Sequence, residues 1–160
     1  MCFGFEHQSH VGVALLVKLI LVSHGPLAAS VAAAAEMILG PLENVVTVGL
    51  EPSEGPDQLH AKIAAAVGEA GSDGAVILCD LFGGTPFNVS ARFCREQGVP
   101  VITGLNLPML LNALTERERT PAQLAGALQN AGRDGVISLA QALDDQALLE
   151  EGGERECRSS

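Results

Sequence analysis

The chain has no tryptophan and no tyrosine. Five phenylalanines are its whole aromatic content, 3 % of 160 residues. Stacking on bases or sugar rings needs aromatic platforms, so recognition of that kind is not expected. Positive charge is also scarce: nine Lys and Arg stand against 19 Asp and Glu, a net charge of −10. Such a surface repels nucleic-acid phosphates and anionic lipid, so neither is an expected partner. A basic protein partner would be steered in. The four cysteines, Cys2, Cys79, Cys94 and Cys157, show no Cys-x-x-Cys spacing. Neither a disulfide framework nor a zinc site is expected from them, and no metal or cofactor is expected at all. Cys79 lies in an apolar run and reads as a core residue.

Long apolar runs are missing too. Val11–Val22 is apolar apart from Lys18. It is too short to span a bilayer and lacks the positive start and small-residue cleavage site of a secretion signal. A cytoplasmic location is expected, with no membrane insertion. Residues 1–16 read as a disordered extension, 17–151 as one domain and 152–160 as a polar tail. Val17-Lys18-Leu19 resembles an ordinary bacterial opening.

What is present is a core of Ala, Val, Leu and Ile; apolar residues make up 48 % of the chain. Short apolar runs alternate with amphipathic segments. Strands are expected at Lys18–Ser23, Asn44–Leu50, Ala75–Leu81 and Val99–Leu105, with a short last one at Val136–Leu139. Helices are expected at Pro26–Leu39, Pro56–Ala70, Pro86–Gln97, Pro108–Arg117, Pro121–Ala131 and Ala140–Glu151. Gly-Pro openings and glycine stops mark several of their ends. The runs are continuous rather than alternating, which marks a sheet buried on both faces. Repeated strand–helix units predict an α/β, doubly wound, mainly parallel open sheet.

In such sheets a site forms beyond the strand ends, where the strand order reverses. With a flavodoxin-like order 2-1-3-4, that point lies between the first and third strands. His24 closes the first strand and Asp80 the third. Neighbouring strands lie about 5 Å apart, so the two side chains can meet. A carboxylate that accepts the proton of one ring nitrogen fixes the tautomer and leaves the other nitrogen nucleophilic. The expected arrangement has Nδ1–H toward Asp80 and Nε2 free. Phe82-Gly83-Gly84-Thr85-Pro86-Phe87-Asn88 follows at once. Its glycines allow close backbone approach, Thr85 is placed to cap the next helix, and the helix N-terminus offers an anion site. Gly25-Pro26 offers a weaker second one. Asn88 either braces the loop or faces solvent.

These residues resemble the mannose-type IIA domain of the bacterial sugar phosphotransferase system. The likeness runs from Lys18 to Leu139. It rests on Leu19–Gly25, on Asp80-Leu81-Phe82-Gly83-Gly84-Thr85-Pro86-Phe87-Asn88, on Asn106-Leu107-Pro108-Met109-Leu110 and on Gly132-Arg133-Asp134-Gly135-Val136. The resemblance implies that His24 carries phosphate, that Asp80 orients it, and that Thr85 lies near the phosphoryl group with Gly25, Gly83 and Gly84. It implies phosphate arriving from the phosphocarrier HPr and leaving for a IIB domain. It also implies a homodimer in which Val136–Leu139 joins the partner's sheet.

Other readings of the residues are weaker. A histidine phosphatase needs arginines around its phosphate, and the site loops hold none. A response-regulator receiver needs acidic residues after the first strand to bind magnesium, where Ser23-His24-Gly25 stands. A non-catalytic binding module of the same fold is the bland alternative. Ser23 should point away from its neighbour His24. His7 and His10 in the extension, His60, and the Glu116–Arg119 cluster read as solvated. Met109 reads as core.

Overall fold

The computed structural model describes residues 16–141 and 143. Four strands, β1 (Lys18–His24), β2 (Val45–Leu50), β3 (Ala75–Cys79) and β4 (Val101–Thr103), form one parallel sheet. Their order is β2-β1-β3-β4, as expected. Between them run α1 (Leu27–Leu39), α2 (Pro56–Gly68) and α3 (Thr85–Gln97); α4 (Leu107–Thr115) and α5 (Pro121–Asp134) follow β4.

The continuous apolar runs are explained by the two-residue repeat of a strand, which sends alternate side chains to opposite faces. Leu19 and Leu21 of β1, with Val76 and Leu78 of β3, pack under α1, α4 and α5, against Ala28, Ala35, Leu110, Leu124 and Leu128. Ile20 and Val22, with Ile77 and Cys79, pack under α2 and α3, against Leu59, Ile63, Val89 and Phe93. Both faces of the central strands are buried, so polar residues there, Lys18 and Ser23 at the two ends of β1, need partners of their own. Among the described residues, no helix is long and apolar enough to cross a membrane.

Several ends differ from expectation. β3 stops at Cys79, so Asp80 stands just beyond the ladder, although its N–H still donates to Val22 C=O at 3.2 Å. β4 is three residues long, because Pro100 has no N–H to extend pairing and Gly104, with φ +84°, turns the chain away. Asn106 caps α4, its side chain accepting from the N–H of Met109 at 2.9 Å. Helix α5 continues to Asp134, three residues past its expected stop.

The short strand expected at Val136–Leu139 is not a strand here. Residues 136–138 have no regular structure and Leu139–Gln141 are helical. Among the described residues no strand pairs with this segment: Val136 N–H turns back onto Arg133 C=O, while Val136, Ile137 and Leu139 are exposed. Most of the helix expected at 140–151, the tail 152–160 and residues 1–15 lie outside the described residues. Leu16 is tied into the domain: its N–H donates to Asp73 and its carbonyl accepts from Asn44.

Candidate functional site

His24 and Asp80 meet as the switch-point argument predicts. Val22 of β1 lies opposite Cys79 of β3 in the ladder. Asp80 follows Cys79 directly and His24 stands two residues after Val22, so both emerge at the same sheet edge, His24 one step further along β1. Oδ2 of Asp80 accepts twice from His24, from its backbone N–H and from its ring Nδ1, both at 2.8 Å. Oδ1 accepts from the N–H of Leu81, also at 2.8 Å. The carboxylate is thus held by two backbone donors and is free to orient only the ring. The Asp80 side chain is 10 % exposed and that of His24 is 48 % exposed. The pair has a covered acceptor and an open imidazole. With Nδ1–H spent on the carboxylate, the lone pair of Nε2 is available for chemistry.

The floor under that nitrogen is Gly84. A Cβ placed there would lie 2.8 Å from His24 Cε1 and 3.3 Å from Nε2. Only glycine admits the ring in this pose. Gly83 has φ +81° and Gly25 φ +51°, backbone conformations that side chains rarely adopt. Gly25 is pinned to the neighbouring strand by its N–H on Leu50 C=O at 2.9 Å. Asn88 is a brace: its side-chain amide donates to Gly83 C=O at 3.1 Å, and its backbone N–H to Gly84 C=O at 2.9 Å.

Thr85 does not cap α3. The cap residue is Gly84, in extended conformation, and Thr85 is the first helical residue, with no side-chain bond across the terminus. The double-glycine turn completes one residue earlier than its composition suggested. The first-turn N–H groups of α3 consequently have no side-chain acceptor and remain available to an anion. The second anion site expected at Gly25-Pro26 is partly consumed. Ser23 is fully buried, and its Oγ accepts from the N–H of Ala28 at 2.8 Å while donating to Gly25 C=O at 3.3 Å. Ser23 points away from His24 as expected, but its service to α1 was not foreseen. The signal was there: a small hydroxyl residue shortly before a Pro-opened, Ala-rich helix.

Around the imidazole the surface is apolar and open. Leu81 and Phe82 are exposed, and Phe82 leans on Phe87 with ring centres 4.7 Å apart. No Lys or Arg occurs in 23–28 or 80–88. Behind Asp80, Cys79 is buried against the Ser90 hydroxyl at 3.4 Å. Burial pushes its thiol up to about 11, so it stays protonated at neutral pH and takes no part. His60 is not simply solvated, since its ring stacks on Phe93 at 4.9 Å.

Comparison with known proteins points one way. Residues 18–131 match the family model described as the PTS system fructose IIA component. The sorbose-specific EIIA component of Lacticaseibacillus casei is 32 % identical over 133 residues, 82 % of this chain and 96 % of that protein. The mannose-specific EIIAB component of Escherichia coli K12 is 32 % identical over 129 residues, 78 % of this chain; the chain spans only 40 % of that relative's length. Among solved structures, the mannose/sorbose-specific IIA subunit from Enterococcus faecalis superposes with a TM-score of 0.73 at 34 % identity, covering 78 % of this chain and 95 % of that one.

Proposed function

The chain belongs to the mannose-type EIIA family of the sugar phosphotransferase system, and from that premise we propose that it is a phosphoryl carrier that holds the group on Nε2 of His24. The observation that carries this reading is the shared Oδ2 of Asp80, which fixes both the backbone and the ring of His24 at 2.8 Å.

The proposed cycle is two in-line transfers. Phosphorylated HPr docks over the strand ends, and the Nε2 lone pair attacks phosphorus. The N–P bond forms as the bond to the HPr histidine breaks, and the leaving nitrogen keeps its electron pair. The ring becomes a cation whose Nδ1–H is held by Asp80, so charge develops opposite a fixed carboxylate. The transferred group rests over Gly84, near the free N–H groups at the start of α3 and the Thr85 hydroxyl. Gly25 and Gly83 give the backbone its approach. A IIB domain then attacks the same phosphorus and His24 leaves. Residues 23–28 and 80–88 hold no Lys or Arg, so the site loops supply no fixed positive side chain and the phosphoryl group stays easy to pass on. The exposed Leu81 and Phe82 suit a site that must admit proteins. In the same reading the chain acts in the cytoplasm as a homodimer, with the unpaired segment at 136–139 seated on a second copy at the open edge of β4, which would cover that edge.

The test supplies phosphoenolpyruvate, enzyme I and HPr and follows intact mass. The expected result is one added phosphoryl group, mapped to His24 and absent in His24→Ala. A wild-type chain that gains nothing, or a His24→Ala chain that is still modified, overturns the reading.

A further inference from the structure

At the opposite end of the sheet from His24, one cationic side chain is buried with two of its three nitrogens unpartnered among the described residues. Arg117, just after α4, is 6 % exposed, although it lies in a cluster that reads as solvated. Its Nη1 donates to the carbonyl of Glu43, in the loop that enters β2. Its Nε and Nη2 are buried and have no hydrogen-bond partner among the described residues. No described carboxylate forms an ion pair with it, and Glu116 is paired instead with Arg119 at 2.6 Å. Burial pushes the guanidinium pKa down, against the opposing pull of the Glu43 charge.

Nε and Nη2 are the side-on edge of a guanidinium, two parallel N–H groups spaced for two oxygens of one planar group. A buried cation without an acceptor is an unfavourable arrangement that natural structures seldom leave unfilled. Two clefts converge on this side chain, one past Thr115–Arg119 and one past Leu39–Glu43, with Leu16 and Leu114 forming their common wall.

We propose that Arg117 anchors a binding site for a small monocarboxylate with a short apolar body. The carboxylate takes the Nε/Nη2 edge, and the apolar body lies along Leu16 and Leu114, which shift to admit it. The nearby charges of Glu43 and Glu116 select against a dianion such as phosphate. The site is separate from the imidazole, because Leu16 precedes the first residue of β1 and His24 is its last.

The test titrates the isotope-labelled full chain with butyrate and follows the Arg117 Nε–H resonance, with butyramide and inorganic phosphate as controls. The expected result is a saturable shift with butyrate, none with butyramide, and phosphate weaker by about tenfold or more. Arg117→Lys keeps the charge but loses the fork, and should weaken butyrate by about tenfold or more. If that variant does not fold, Leu114→Phe, which fills the common wall, should do the same. No shift with butyrate, or equal shifts with butyramide, overturns the proposal.

Discussion

Two ends of one sheet treat a charged group in opposite ways. At the C-terminal end, the Asp80 carboxylate is 10 % exposed and accepts three hydrogen bonds, two of them from His24. At the N-terminal end, Arg117 is 6 % exposed and spends one nitrogen on a carbonyl, leaving two unused among the described residues. The first charge is buried because its partners are built in. The second is buried without them. Burial alone therefore does not tell a finished site from an unfinished one; the count of satisfied donors and acceptors does. The difference also has a cause in the chain. The carboxylate sits just past the end of β3, beside the last residues of β1, so the backbone itself supplies donors. Arg117 sits in a helix-to-loop turn, where a long side chain must find its own acceptors.

The strongest way to break the finished end is to move the ring. Gly84→Val puts side-chain atoms where Cε1 and Nε2 now lie. Displacing a nucleophile by about 1 Å costs about 10²-fold, so acceptance of phosphate in the HPr assay should fall by at least that while the circular-dichroism spectrum stays native. Asp80→Ala comes next. Losing the acceptor that orients Nδ1–H should remove about 1–3 kcal/mol of transition-state stabilisation, read as a slowing of about tenfold to a hundredfold. Transfer at the wild-type rate would show that the carboxylate only packs against the ring.

Ser23→Ala tests the support beneath the site rather than the site. It removes the acceptor for Ala28 N–H and should cost about 1 kcal/mol of stability in urea unfolding, with phosphate acceptance changed much less than in Asp80→Ala. The smallest effect is expected at the other end. If Arg117 has no carboxylate partner, Arg117→Met exchanges a desolvated cation for a well-packed apolar chain, and stability should change by about 1 kcal/mol or less. A loss of about 3–5 kcal/mol in the same unfolding experiment would mean that the substitution strands a buried carboxylate. That result would turn the unfinished end into a finished one with an occupant from the chain.

The imidazole–carboxylate pair was legible before any coordinates because it depends on topology, and topology was written in the apolar runs. The continuous apolar runs Lys18–Ser23 and Ala75–Leu81 imply parallel neighbours, and parallel neighbours bring their C-terminal residues to one edge. The Gly83-Gly84 turn was legible for the same local reason, since two adjacent glycines before Thr-Pro have few other uses. Thr85 was misplaced because capping depends on a one-residue difference in where the turn closes, which composition does not resolve. Val136–Leu139 reads as a strand, but a strand needs a neighbour, and among the described residues no strand pairs with it; the exchange that the resemblance implies depends on a second copy. A run of Glu and Arg reads as surface, whereas the burial of Arg117 depends on Leu16 and the Glu43 loop, which are far from it in the chain.

The sequence by itself determined the layered α/β architecture and, once a flavodoxin-like strand order is taken, the identity of the two residues at the switch point. Periodicity and turn chemistry are local properties, and they accumulate into one topology. Only the tertiary structure decided that Asp80 Oδ2 serves both ring and backbone of His24, that Gly84 is the floor under Nε2, and that Arg117 is buried with a free edge. Those facts are distances between atoms far apart in the chain, set to fractions of an ångström by the packing of two cores against one sheet.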